Sequence, residues 1–239
     1  MERIPRRGNK FLASLAVDDF ESIGPHLRTA ELRQEQMLLQ MGDVLKQVYF
    51  PHDGVISLVL PLSKGEGIEI AMIGRDSVLG VFAALGEPIS LCDIVVLIPG
   101  TASILDVEHL RVAADKSSRL RTALIRHQQA LFAQAQQTAG CNAVHPVEAR
   151  LARWLLRARD LADSDRLNLT QELMAQMIGA RRNSVSIVAH TLQQSNLIRY
   201  SRGHIEIVDS VALARSACEC YEVVKIQCER LLDPVRPPS

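Results

Sequence analysis

The sequence predicts an α+β chain in which a β-rich first part, one long central helix and a small helical domain follow one another. Three observations carry this: short apolar runs broken by turn residues, then a stretch from about residue 110 to 142 without proline and without glycine before Gly140, then a renewed helical pattern after Pro146. The division expected from them is a β domain over 1–109, a long central helix and hinge over 110–145, and a second small domain over 146–239.

The chain of 239 residues, 47% of them apolar, is long enough for two small cores. Its formal charge is zero and its pI 7.1, so no chain-wide basic field points to nucleic acid or an anionic membrane, and any DNA surface must be local. The basic start, with Arg3, Arg6 and Arg7, lacks the apolar stretch of a signal peptide, and no segment approaches the ~20 apolar residues of a membrane span. A cytoplasmic protein without a membrane partner is expected.

Residues 9 to 32 look helical. Val48-Tyr49-Phe50 meets the turn Pro51-His52-Asp53-Gly54, and the runs Val55 to Leu60 and Ile68 to Ile73 flank a glycine-containing loop, as in a β-hairpin. Ile94 to Ile98 and Ala102 to Val107 repeat that grammar around Pro99-Gly100, so a sandwich or barrel is expected. In the long helix, Leu120, Leu124, His127, Leu131, Ala135 and Thr138 recur by three and four. Such a stripe serves either a dimer seam or packing within the chain; its modest Ala, His and Thr positions favour the seam. His145-Pro146 ends the helix, since the α region is disfavoured before proline.

The five cysteines have no Cys-x-x-Cys spacing, which argues against both a disulfide framework and structural zinc, and no metal site is expected. Cys218, Cys220 and Cys228 fall in an expected C-terminal helix, where positions i and i+2 face apart. Cys141, beside the seam and near the hinge, is either a buried inert thiol or a redox reporter.

The most informative stretch runs from Leu169 to Val188. Thr170 suits an N-cap, Ala175 is small where a second helix must approach, Gly179 suits a tight turn, and Val185 with Val188 gives the second helix a buried side. These are the spacings of a helix-turn-helix. Arg181, Arg182, Asn183, Ser184 and Ser186 then fall at the N-terminal end of the second helix, where a recognition helix meets the major groove. Arginine can bridge guanine and asparagine adenine, each through two hydrogen bonds, while serine hydroxyls and free helix amides suit phosphate. Outside such a motif, Arg181-Arg182 reads as a solvated basic face. Two β-prone runs around Ser201-Arg202-Gly203 follow as a wing, with Arg202 and His204 as candidate phosphate contacts. Between Arg166 and His204 only Glu172 opposes five arginines.

With these elements in place, the chain resembles the Crp/Fnr family of the cAMP receptor protein and Fnr, through Phe50-Pro51-His52-Asp53-Gly54-Val55-Ile56-Ser57, the long helix, the Gly179-centred motif and the hairpin after Asn196-Leu197-Ile198. The resemblance implies an N-terminal cyclic-nucleotide-binding-type β-roll, a homodimer, a C-terminal winged helix-turn-helix reading a palindromic duplex, and RNA polymerase as a partner. It places base reading on Arg182, Asn183 and Ile187, of which Asn183 and Ile187 depart from the family pattern. In the region matching the effector pocket, Gly80 is kept, Val81 stands where the family has glutamate, and no arginine lies near Ser90. A cyclic phosphate would lack its bidentate partner there, Arg75 being the nearby substitute. Standard cAMP binding is not expected, and the cofactor, if any, is unassigned; a non-standard cyclic nucleotide or a redox signal is the alternative. With no cysteine before Cys92, the iron-sulfur cluster of Fnr is not expected either.

No G-x-S-x-G, H-E-x-x-H, Walker or dinucleotide motif supplies catalytic chemistry, so an enzyme is not expected. A winged helix that binds protein is the remaining alternative.

Overall fold

The computed structural model describes residues 8–63 and 67–232. The basic start (1–7) and the tip of the expected hairpin loop (64–66) lie outside the described residues.

The segment expected to be helical over 9–32 is divided. Helices α1 (Lys10–Ser14) and α2 (Val17–Ile23) lead into a 3-10 turn at Gly24–His26, and Arg28–Leu32 is strand β1. Pro25 is tolerated at the start of that turn but cannot sustain a continuous helix. Asn9 caps α1 by accepting from Leu12 N (3.2 Å), and its buried amide donates to Pro51 O and Ser77 O, both at 2.9 Å.

Strands β2 (Met37–Leu39), β3 (Gln47–Pro51), β4 (Val55–Pro61), β5 (Gly67–Ile73), β6 (Asp93–Ile98) and β7 (Gly100–Asp106) complete the roll, with a short helix α3 (Val81–Leu85) inserted before β6. They form two antiparallel sheets, ordered β1-β7-β3 and β2-β6-β4-β5. The expected hairpin is β4–β5, with Pro61 opposite Gly67. β6 and β7, consecutive in sequence, part at Pro99 into different sheets. Leu32 and Ala102 of one sheet share a buried cluster with Ile56, Ile73, Ile94 and Val96 of the other, which fastens the two together.

The central helix is broken once. Val107–Lys116 (α4) and Ser118–Val144 (α5) are separated by Ser117, whose backbone is extended and whose Oγ accepts from Leu120 N at 3.2 Å. A serine N-cap restarts a helix without the glycine or proline that would announce a break. His145 is extended before Pro146, as expected.

The stripe expected to form the dimer seam packs inside the chain. Leu120 and Leu124 lie in one core with Phe11, Leu12, Val48 and Phe50, and His127 presses edge-on against Phe11 with ring centroids 4.6 Å apart. Leu131 packs on the roll cluster, Ala135 is half-buried, and Thr138 faces Cys220, Tyr221 and Val224. The roll and the C-terminal helix together cover this face. Among the described residues a second stripe is left open, Thr122, Ile125, Gln129, Phe132, Gln136, Ala139 and Ala143, also spaced by three and four, with Ile125 43% and Phe132 63% exposed.

Beyond the hinge come α6 (Val147–Ala162), β8 (Arg166–Asn168), α7 (Gln171–Met177), α8 (Arg182–Gln194), β9 (Ile198–Ser201), β10 (His204–Ile207), α9 (Ser210–Ser216) and α10 (Cys220–Leu232). This unit shares a core with the roll: Val55, Val59, Met72 and Leu97 pack with Leu151, Trp154, Leu155 and Leu161. Polar ties cross the same junction. Trp154 Nε1 donates to Glu69 Oε1 at 2.7 Å, Arg157 pairs with Asp76 at 3.1 Å, and Arg75 pairs with Asp163, while Ser57, within the roll, donates to the other Glu69 oxygen. Among the described residues no helix is long and apolar enough to cross a membrane.

Candidate nucleic-acid interface

Helix α7 starts where the sequence places it, with Thr170 Oγ1 accepting from Leu173 N at 3.1 Å and Glu172 in the first turn. Ala175 is buried, and Gly179 takes φ +60°, a conformation that side-chain-bearing residues rarely adopt, to turn the chain between α7 and α8. A Cβ at Gly179 would also lie 3.2 Å from Ile68 of β5, so the turn sits against the roll.

Helix α8 buries Val185, Ala189 and Leu192, which leaves Arg182, Asn183, Ile187 and His190 outward. Ile187 is 69% exposed, an unusual setting for isoleucine, and one in which it could meet a thymine methyl group. His190, three residues on, extends the same face; the spacing 183, 187, 190 is the signal by which it could have been found. The start of α8 has no side-chain cap, so its first backbone N–H groups are free for an anion, and Arg181 and Arg182 flank them.

Two expected contacts are engaged within the motif. Ser186 Oγ donates to Gln171 Oε1 at 2.6 Å and also reaches Arg182 O, which ties α8 to α7 instead of presenting the hydroxyl outward. Arg182 lies 3.5 Å from Glu172, with both side chains largely exposed, so this ion pair can exchange for a base or phosphate at little cost. Ser184 is half-buried at the first turn.

The wing is a three-stranded sheet ordered β8-β10-β9, one strand more than the two runs expected. Its two-residue turn has Arg202 at φ +47° and Gly203 at φ +85°, the paired left-handed conformations of a type I′ hairpin. That geometry thrusts the Arg202 side chain into solvent. A Cβ on Gly203 would lie 3.6 Å from Thr170 Cγ2, so the wing tip adjoins the start of α7. His204 Nδ1 lies 2.7 Å from Asn168 Oδ1, which fixes the ring beside the tip.

The local charge surplus is smaller than a count of arginines suggests. Glu206 holds Arg166 at 3.6 Å and Arg199 at 3.2 Å, while among the described residues no ion pair joins Arg181 or Arg202.

The candidate effector residues are used otherwise. Arg75 pairs with Asp163 at the end of α6. Gly80 takes φ +95° where an added Cβ would lie 2.4 Å from Leu45, Val81 is in the roll core, and Ser90 donates to Cys92 O at 2.7 Å. Cys218 lies ahead of α10 and not within it, so the opposite-face argument does not separate it from Cys220. Burial holds the Cys141 thiol above its ordinary pKa, which disfavours the reactive thiolate of a redox reporter.

Residues 149–216 match the family model of a Crp-like helix-turn-helix domain. The fold is similar to that of FixK2 from Bradyrhizobium japonicum (TM-score 0.69, 16% identity, covering 80% of this chain and 98% of that one). It is also similar to the c-di-GMP-responsive global regulator CLP of Xanthomonas campestris (TM-score 0.66, 14% identity, 81% and 100%). A Crp/Fnr-family transcriptional regulator from Thermus thermophilus gives a TM-score of 0.65 at 18% identity, covering 80% and 98%. No curated protein matches the sequence.

Proposed function

We propose, from the premise that this chain carries a Crp-like helix-turn-helix domain within the fold of the Crp/Fnr regulators, that it acts as a dimeric, sequence-specific transcription regulator. The observation that carries the reading is the outward face of α8, where Arg182, Asn183 and Ile187 stand above a fully buried opposite side. Base-edge contacts come from these three, and phosphate contacts from Thr170, Arg181, Ser184, Arg202, His204 and the free amides of α8. The protein works by binding, in the cytoplasm, with RNA polymerase as the partner that reads its position on DNA.

Dimerisation is assigned to the open stripe of α5 through Ile125 and Phe132. A seam spaced by three and four and left bare by the other described residues suits a second copy of the same helix. Two recognition helices then address half-sites about one helical turn apart. The proposed division is a roll to 109, a stem to 145 and the DNA-binding unit thereafter.

Binding of cAMP in the usual manner has little support. The position expected to hold the ribose is Val81 in an apolar core, Arg75 is committed to Asp163, and Arg111 donates to Ala83 O at 3.0 Å. Selection from a randomised duplex pool by the purified protein, with and without cAMP, tests the whole reading. An enriched inverted repeat is expected, with no change on adding cAMP. If no sequence is enriched even at low salt, the alternative of a winged helix that binds protein takes its place.

A further inference from the structure

The hinge holds a set of side chains that the DNA-binding reading does not use. Cys141 and His145 stand one turn apart at the end of α5, and Cys218 and Cys220 flank the start of α10. Their ligand atoms all lie within 4.8 Å of one another. Cys141 Sγ is 3.5 Å from Cys218 Sγ, and Cys220 Sγ is 3.5 Å from His145 Nδ1. For tetrahedral zinc with bonds of about 2.3 Å to sulfur and about 2.0 Å to nitrogen, ligand atoms fall roughly 3.5–3.8 Å apart. The site is therefore nearly of the right size before any ion enters, and too tight for an iron-sulfur cluster, whose ligands must reach around several metal atoms.

The surroundings complete the chemistry. With Nδ1 turned toward the sulfurs, His145 Nε2 lies 3.2 Å from Glu219 Oε1, the carboxylate–histidine arrangement that fixes the ring and its tautomer at metal centres. Gln137 Nε2 donates to Cys220 Sγ at 3.0 Å, a hydrogen bond suited to a thiolate. Three thiolates and a divalent ion sum to one negative charge. Arg153, close enough to act on Cys141 electrostatically and with its Nε buried without a hydrogen-bond partner among the described residues, offsets it.

We propose that Cys141, His145, Cys218 and Cys220 form a closed, four-coordinate site for one zinc-class divalent ion that clamps the DNA-binding unit to the end of the central helix. Soft sulfur ligands and tetrahedral spacing select zinc over magnesium, calcium or manganese, and four protein ligands leave no open position for catalysis. The placement gives the ion a mechanical role. α6 to α9, the whole winged helix-turn-helix, is strung between the two halves of the ligand set, which are 77 residues apart at Cys141 and Cys218. Binding closes that loop at the His145-Pro146 hinge and so fixes the direction in which α6 leaves the stem, and with it the orientation of α8.

The test is metal analysis of the full-length protein purified with reductant, followed by replacement with Co2+. One zinc per chain is expected, and the cobalt form should show thiolate-to-cobalt charge transfer with the intense visible bands of tetrahedral geometry. Cys220→Ser and His145→Ala should each lose the ion, while Cys92→Ser and Cys228→Ser keep it. Wild-type protein that retains no metal, or a cobalt form without thiolate bands, overturns the site whether or not the variants fold. Neither readout involves DNA, so failure here leaves the regulator reading untouched. With the site established, chelation should weaken binding to the selected duplex at least about tenfold, a coupling of about 1.4 kcal/mol; unchanged affinity removes the clamp's mechanical role.

Discussion

Helices α5 and α8 both carry apolar residues at helical spacing, and they show opposite relations between pattern and partner. In α8 the buried positions Val185, Ala189 and Leu192 serve a motif completed within a few residues of sequence, so the inward side decides the outward one. In α5 two stripes have helical spacing, and nothing local decides between them. The stripe containing Leu120 and Leu124 is taken by the roll and by α1, which come from far earlier in the chain, and the one containing Ile125 and Phe132 is left open by the described residues. A helix spacing states that a face is buried, but the protein at large chooses against what.

Two substitutions break this comparison most directly. In the proposed dimer, Phe132→Glu puts a charge on the open stripe of both copies and removes two phenyl groups from the proposed seam. At about 1.5–3 kcal/mol each, dissociation should be favoured by roughly 100-fold or more, seen as a shift to monomer in sedimentation with monomer stability unchanged. Leu124→Ala should do the reverse: about 2–5 kcal/mol of stability lost from a fully buried site, measured by urea denaturation, with the remaining folded protein still dimeric. If Leu124→Ala dissociates the dimer and Phe132→Glu does not, the two stripes have been assigned the wrong way round.

The same contrast explains what could be read from the chain. The hairpin, the end of the central helix at His145, the Thr170 cap and the Gly179 turn were legible because each depends on a few adjacent residues. The break at Ser117 was not, since a serine cap leaves no glycine or proline to mark it, and β1 was hidden because its partner β7 is distant in sequence. The face of α8 was legible; that Ser186 and Arg182 are engaged by Gln171 and Glu172 was not, because those contacts require the two helices to be docked. The hinge cysteines were invisible for the same reason, their ligand pairs being joined only in the fold.

The junction between roll and DNA-binding unit offers an intermediate test. Glu69 is fully buried, and its pKa is raised from 4.5 to about 7, chiefly by burial; hydrogen bonds from Ser57 and Trp154 and the charges of Arg153 and Arg157 pull it back down. Since the folded protein holds this proton where the unfolded chain has released it, the group stabilises the fold below about pH 4.5, and that contribution is lost as pH rises to about 7. Trp154 is the single tryptophan of the chain, so its fluorescence reports on this contact directly. A titration step with a midpoint near 7 is expected, and Glu69→Gln should remove it together with the fall in thermal stability over the same window. A step that persists in Glu69→Gln assigns the titration to another group.

The smallest effects separate the recognition helix from its own wing. Arg182→Ala should cost about 1–3 kcal/mol at the preferred site and relax discrimination at one base pair in each half-site, offset slightly by release of Glu172 from a pair that is weak in water. Arg202, carried into solvent by the left-handed turn and without a partner among the described residues, contacts phosphate in this scheme. Arg202→Ala should therefore weaken every sequence equally and lower the slope of log affinity against log salt by about one per half-site. Both are measured in a single experiment, binding of each variant to the selected duplex and to a scrambled one across a salt series. Should Arg202→Ala change the preferred sequence, the wing reads bases and the division between α8 and β9–β10 fails; should Arg182→Ala lower the salt slope alone, α8 holds phosphate and the specificity must come from Asn183 and Ile187.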